Sequence, residues 1–306
     1  MKKAIILTDG KAGHENQSRA FASALGLESQ LLQVRFKSPF HKMLSYLFDR
    51  CGIRTMAMFE ALALDAAPGC ADLVIGTGSG TFYAAKTLSR KLGVKCAVIL
   101  YPRGYHIPSF DCIMAPAFDN APKAPNVVDI PVNFVANDSA HYDEGVKAFK
   151  ARYTQRNAKA LAVIVGGPNK CSTMSAEWMR LELEKIFAEN PCCEKWVTTS
   201  RRTPKDVEDV VDSFPFDYKL IYSRDKFNPI PAFVMLAERL YVTAESTGML
   251  SEACSFGKAE VRVMDNLKSG PHKFRRFLEL LKSGGCVDGG KKADLAPAIE
   301  KAKGLL

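Results

Sequence analysis

The chain has 306 residues, a formal net charge of +9, 47% hydrophobic and 25% charged residues. That length allows two domains of ordinary size, and that composition belongs to a globular protein. No run approaches about 18 apolar residues, so no transmembrane helix is expected, and the first ten residues turn polar too soon for a secretion signal. Nine cysteines without Cys-x-x-Cys spacing and five histidines without ligand-like pairs point to reduced thiols in a cytoplasm, not to disulfides or zinc. The positive charge favours an anionic partner. A nucleotide and an anionic membrane surface are the candidates carried forward, and no nucleic acid is expected.

Short apolar runs that read as buried strands alternate with helical segments. Residues 4–7 form the first strand, followed by a polar loop over 8–19 and a helix with Ala20, Phe21, Ala24 and Leu25 on one face, stopping near Gly26. Residues 31–34 make a second strand. Residues 39–64 read as an irregular helix pair that mixes Phe40, Met43, Leu44, Leu47 and Phe48 with Lys42, Arg50 and Arg54. A strand at 73–75 runs through Gly76-Thr-Gly-Ser-Gly80 into a helix ending at Leu92, and strands at 96–100, 112–115 and 127–130 follow. Hydrophobicity then falls and charge rises, which predicts a linker helix over 138–158 between an N-terminal domain, 1–137, and a C-terminal domain, 159–306.

The pattern restarts with a strand at 161–165 that ends in Gly166-Gly-Pro-Asn-Lys170. A helix at 177–188 leads to a strand at 196–199 and then Ser200-Arg-Arg-Thr-Pro204, where a proline opens the next helix. A strand at 220–222, a short helix at 231–237 and a strand at 240–243 precede a helix capped by Ser246, with Met249, Leu250, Ala253 and Phe256 on one face. A strand at 261–264, a basic helix at 272–282 and a last short helix complete the chain. This alternation predicts an α/β fold of two Rossmann-like domains facing a cleft, each with a parallel sheet. Ligands of such sheets sit beyond the carboxyl ends of the strands.

Several groups of residues fall at those ends. Asp9, Lys11, His14, Glu15, Asn16, Gln17 and Arg19 crowd the segment after the first strand, more polar chemistry than a turn needs. A histidine there suits a general base near neutral pH. The segment lacks the Gly-x-x-x-x-Gly-Lys-Ser/Thr spacing of a phosphate loop. Gly76-Thr-Gly-Ser-Gly80 lacks the third glycine of a dinucleotide fingerprint, so it reads as a tight packing turn whose Gly78 and Ser79 touch substrate. In the second half Gly166, Gly167, Lys170, Ser200, Arg201 and Arg202 converge with Ser246, Thr247 and Gly248 at the start of a helix, a cradle for a diphosphate. Glu252 lies six residues beyond Ser246, roughly 9 Å along the axis, about the span from phosphates to ribose hydroxyls. No Asp-x-Asp occurs, so cations and a helix end are expected to meet the diphosphate charge, without metal or cofactor. The aromatic and basic mixtures at 40–54 and 272–282 suit either an anionic membrane surface or core packing with a solvated rim.

Taken as a set, Thr8-Asp-Gly-Lys-Ala-Gly-His-Glu-Asn-Gln-Ser-Arg19, Gly166-Gly-Pro168, Thr199-Ser-Arg-Arg-Thr-Pro204, Asn228-Pro229 and the Val242-Thr-Ala-Glu-Ser segment resemble the mitochondrial-fission ELM family of glycosyltransferase-like proteins. The architecture is more distantly similar to GT-B glycosyltransferases such as the enzyme that adds N-acetylglucosamine in making lipid II. The family's Pro-x-His-Asp turn reads Pro116-Ala-Phe-Asp119 here. The resemblance implies a nucleotide-sugar in the C-terminal domain, with Ser246, Thr247, Glu252, Arg201 and Gly167 as contacts. It implies an acceptor, a glycan or a lipid-linked sugar, on the N-terminal side, where Lys11, Glu15, Asn16, Gly78, Ser79 and Arg103 stand. His14 or Asp9 would take the acceptor proton. Such an enzyme would work in the cytoplasm or on the inner face of the membrane. A nucleotide-sugar epimerase and a non-catalytic adaptor on the same fold are the alternatives.

Overall fold

The computed structural model describes residues 2–60, 71–135 and 139–306. The chain forms two compact units, Met1–Asn137 with Asp294–Leu306, and Asp138–Ala293. In the first, strands β1 (Lys3–Thr8), β2 (Glu28–Gln33), β3 (Leu73–Thr77), β4 (Lys95–Ile99), β5 (Cys112–Pro116) and β6 (Val127–Ile130) make one sheet in the order β2-β1-β3-β4-β5-β6. All five pairings are parallel. The inner strands are buried on both faces, which is why they read as unbroken apolar runs. Helices α1 (Ala12–Ala24), α2 (Pro39–Arg50) and α3 (Phe82–Leu92) connect the first strands. The last helix of the chain, Ala296–Leu305, buries Ala298 and Ala302 in this same unit, against a core that includes Met114 and Ile130.

The second unit holds β7 (Ala160–Ile164), β8 (Glu194–Thr198), β9 (Tyr218–Leu220), β10 (Arg239–Thr243) and β11 (Glu260–Met264) in the order β11-β10-β7-β8-β9, again all parallel. Its helices are α4 (Ser139–Arg152), α5 (Ala176–Glu189), α6 (Lys205–Ser213), α7 (Ile230–Leu236), α8 (Thr247–Ser255) and α9 (Lys273–Ser283). Gly257, just past α8, has φ +68°, and a Cβ there would stand 1.9 Å from the Val234 carbonyl oxygen. Only glycine lets the chain pass that close to α7.

Four expectations are corrected. The polar segment 8–19 is a loop only to Lys11; from Ala12 it is helix, so His14, Glu15 and Asn16 stand on the first turns of α1. The helix pair at 39–64 is one helix, α2, followed by a turn and a stretch in which Phe59 bridges Phe36; residues 61–64 lie outside the described residues. The predicted linker helix packs as part of the second unit: Phe149 of α4 is buried against Trp196, Tyr218 and Phe233 with ring centroids 5.1, 4.9 and 5.7 Å away. The proposed boundary at 137 falls within 136–138, outside the described residues. The last helix, placed with the C-terminal domain, belongs to the first unit. No helix among the described residues is long and apolar enough to cross a membrane.

Candidate functional site

In the first unit, Asp9 follows the end of β1 and His14 is the third residue of α1. His14 Nδ1 lies 3.0 and 3.2 Å from the two Asp9 carboxylate oxygens, and Lys11 Nζ lies 3.0 Å from one of them. A carboxylate can only accept, so it fixes the proton on Nδ1 and leaves Nε2 as the acceptor nitrogen. Burial alone would raise the Asp9 pKa, but the Lys11 hydrogen bond and the His14 ring outweigh it and hold the carboxyl below its usual range. The turn after β3 is shaped around this pair. Gly78, at φ +81°, lies so close that a Cβ would stand 2.3 Å from His14 Cε1; at Gly80 one would stand 2.8 Å from Asp9 Cβ. Ser79 Oγ accepts from Lys42 Nζ at 2.9 Å, bringing a lysine of α2 to the same turn. The turn thus packs closely on the Asp9–His14 pair. Glu15 pairs with Arg19 at 3.1 Å, and Asn16 is exposed. Arg103 donates to the Asp119 carbonyl near the end of β5.

In the second unit the sheet's carboxyl edge is organised by Glu245, which is 2% exposed. Its Oε1 accepts from the Gly167 amide at 2.7 Å and from Thr243 Oγ1 at 3.1 Å, and its Oε2 from Asn266 Nδ2 at 2.8 Å. Thr243 Oγ1 in turn accepts from the Gly166 amide at 2.9 Å. The two glycines are therefore required by packing. A Cβ on Gly166 would fall 2.0 Å from Glu245 Oε1, and one on Gly167 would fall 2.2 Å from the Arg202 carbonyl oxygen. Expected as phosphate donors, both amides are instead taken by the chain itself.

Beside this knot a pocket of ≈ 600 Å³ is lined by Asn169, Lys170, Cys171, Arg202, Glu245, Ser246, Thr247, Gly248 and Phe274. It gathers Lys170, Arg202 and the first turn of α8. The Ser246 side chain makes no capping bond, so the opening amides of α8 lack the partner that a serine cap normally supplies. A Cβ on Gly248 would meet nothing within 4 Å, which leaves that end of the helix open. Cations beside the open N-terminus of a helix are the chemistry that can receive an anion.

Besides Gly166 and Gly167, three candidates stand outside the pocket lining. Arg201 does not line the pocket, because the turn that Thr203 ties to the Ser200 amide at 2.8 Å and the Gly166 carbonyl at 2.6 Å presents Arg202 instead. The Ser200 hydroxyl is occupied within that turn, accepting from the Arg202 amide at 3.2 Å. Glu252 is absent from the lining; burial pushes its pKa up to about 7, only partly offset by the neighbouring Tyr142 hydroxyl. Sequence reasoning missed Glu245, Phe274 and Lys42. Glu245 had a signal, an acidic residue directly after an apolar strand. Phe274 opens the basic helix assigned to a membrane surface or a core, and α9 buries Phe277, Leu278 and Leu281 in this unit.

Two parallel sheets, each with its polar constellation at the strands' carboxyl edge, define two Rossmann-like domains of the GT-B type. The family model described as Mitochondrial fission ELM1 matches residues 12–295, and the chain belongs to that family. It is 25% identical over 316 residues to the uncharacterized protein RP120 of Rickettsia prowazekii (strain Madrid E), covering 90% of this chain and 87% of that one. Among solved structures it is similar to the UDP-GlcNAc 2-epimerase from Neisseria meningitidis bound to UDP-GlcNAc, with TM-score 0.52, 12% identity and 98% of both chains covered. It is also similar to S. aureus MnaA in a co-structure with UDP, with TM-score 0.51, 13% identity, and 98% and 94% of the chains covered. At these identities the likeness is one of fold.

The Glu252 environment has a consequence for stability. An unfolded glutamate titrates near about 4.3, whereas the folded one titrates at about 7, so the native state holds this proton more tightly. Its contribution is complete at pH below the unfolded value and is lost as pH rises through 7. Denaturant midpoints of the wild type should fall between pH 5 and 8 by more than those of Glu252→Gln, in which that loss cannot occur. Parallel pH profiles for the two proteins would contradict this placement of Glu252.

Proposed function

We propose that this chain is a glycosyltransferase that moves a sugar from a nucleotide-sugar to a glycan or lipid-linked acceptor. The observation that carries the reading is the pocket lined by Lys170, Arg202 and the open first turn of α8. The diphosphate that departs with the nucleotide bears the charge that develops as the sugar–oxygen bond breaks. The two cations and the ordered amides of the helix end stabilise that charge. Phe274 supplies an apolar wall in the same pocket, suited to the face of a base or a sugar.

In the first domain the Asp9–His14 pair takes the acceptor's proton. The acceptor hydroxyl gives its hydrogen to His14 Nε2 while its oxygen forms the new bond to the sugar. Asp9 steadies the imidazolium so formed. Gly78 and Gly80 let the turn after β3 close on the ring and the carboxylate, since a Cβ at either would collide with them.

Two tests address the two domains separately. Nucleoside diphosphates should raise the melting temperature of the full chain, since a ligand at 100-fold its Kd stabilises by about 2.7 kcal/mol. Arg202→Ala should weaken that binding by about 1.5–3 kcal/mol, the range for a hydrogen bond to a charged group. Arg201→Ala should leave it as in the wild type. Calorimetry giving the reverse order would move the diphosphate away from Arg202, and no shift with any nucleoside diphosphate would contradict the transferase reading. His14→Ala should keep nucleotide affinity and lose about 10²–10⁴-fold in single-turnover rate. A wild-type rate in that variant would remove the base role from the pair.

A further inference from the structure

Helix α2 is apolar on two sides. Its inner side packs Leu44 and Phe48 against the first domain's core and buries Ser45 and Asp49. Its outer side carries Phe40, Met43 and Leu47, which are 60, 63 and 56% exposed, and Ile53 just beyond it is 45% exposed. The spacing of three and four residues puts the first three on one stripe. Of the seven large hydrophobic side chains exposed among the described residues, four lie in this 14-residue stretch. Single exposed hydrophobics are ordinary, but a cluster marks a surface that something covers.

The charges around the stripe say what. Residues 35–54 contain Arg35, Lys37, Lys42, Arg50 and Arg54, and one acidic residue, Asp49. That carboxylate faces inward: it is buried, 2.8 Å from Lys86 Nζ and 3.2 Å from Arg54. Arg35 is shared with Glu60 at 3.6 Å. Lys37 and Arg50 are exposed at the two ends of the helix. An apolar stripe with cations at both ends and no outward acid is the complement of a bilayer surface with anionic headgroups, where the side chains enter the acyl boundary and the cations meet the phosphates. A protein partner of matching shape would also cover the stripe, but nothing in the stripe's outline selects one.

We propose that α2 docks the first domain on an anionic lipid bilayer through Phe40, Met43 and Leu47, with Lys37 and Arg50 on the headgroups. The same helix reaches the Asp9–His14 turn through the Lys42–Ser79 bond. Resting on the acceptor role given to that turn, docking presents it to an acceptor whose own anchor lies in the bilayer.

Co-sedimentation of the full chain with vesicles tests the docking without nucleotide or turnover, so its outcome is separate from that of the transferase reading. The wild type is expected to bind vesicles of phosphatidylcholine with about one third phosphatidylglycerol, and to bind phosphatidylcholine alone at least about tenfold more weakly. Phe40→Glu, Met43→Glu and Leu47→Glu together should lower partitioning by more than about tenfold with an unchanged melting temperature, since all three are exposed. Lys37→Glu with Arg50→Glu should lower it by a similar factor, about fivefold per cation removed. Absence of wild-type binding, or binding by both variants equal to wild type, would overturn the proposal. So would a wild-type dimer in sedimentation that the triple variant dissolves, because the stripe would then belong to a second copy.

Discussion

The carboxylate of Glu245 is the constraint on which the second domain's edge depends. A buried charge with unmade hydrogen bonds is costly, and one with every oxygen satisfied can hold several segments at once. Glu245 collects an amide from the segment after β7, a hydroxyl from the end of β10 and a side-chain amide from the segment after β11. Those three strands are neighbours in the sheet, so one side chain fixes how their ends splay. Gly166 and Gly167 follow from it, because the carboxylate and the Arg202 carbonyl fill the space that their Cβ atoms would need. With the segment after β7 held there, Lys170, Arg202 and the start of α8 share one pocket wall.

The first domain solves a related problem differently. Asp9, like Glu245, is a carboxylate just past a strand buried along most of its length, with glycines shaped around it. Besides the Lys11 amide at 3.4 Å, its partners are the side chains of a lysine and a histidine, and its own side chain is 11% exposed with the His14 ring at 20%. One carboxylate is sealed and serves architecture; the other is reachable through its histidine and can serve proton transfer. That contrast, not the fold alone, is why each domain is given a different part of the reaction.

Much of this was legible in the sequence. Strands such as β7 and β10 bury nearly every residue, and an unbroken apolar run survives any local uncertainty. The edge strand β2 is mostly exposed, so its pattern is weak and the predicted strand began three residues late. The start of α1 was hidden because Lys11 caps nothing with its side chain. Helix α4 read as a linker because Asp143, Glu144, Lys147, Lys150 and Arg152 break up its apolar pattern, although Tyr142 and Phe149 are buried. Which of Arg201 and Arg202 meets the pocket depends on a turn closed by Thr203, and nothing in two adjacent arginines predicts that. Glu252 was placed by its distance along the axis. Distance does not reveal that the side chain lies beside the buried Tyr142.

The central claim is that the open first turn of α8 receives the diphosphate of a nucleotide. Amide hydrogen exchange with and without saturating nucleoside diphosphate tests it at the atoms concerned. The account predicts slowed exchange at Thr247, Gly248 and Met249, whose amides would donate to the phosphates, with little change at Gly166 and Gly167, whose amides are already bound within the chain. Unchanged exchange across the start of α8 under conditions where the nucleotide is bound would contradict it.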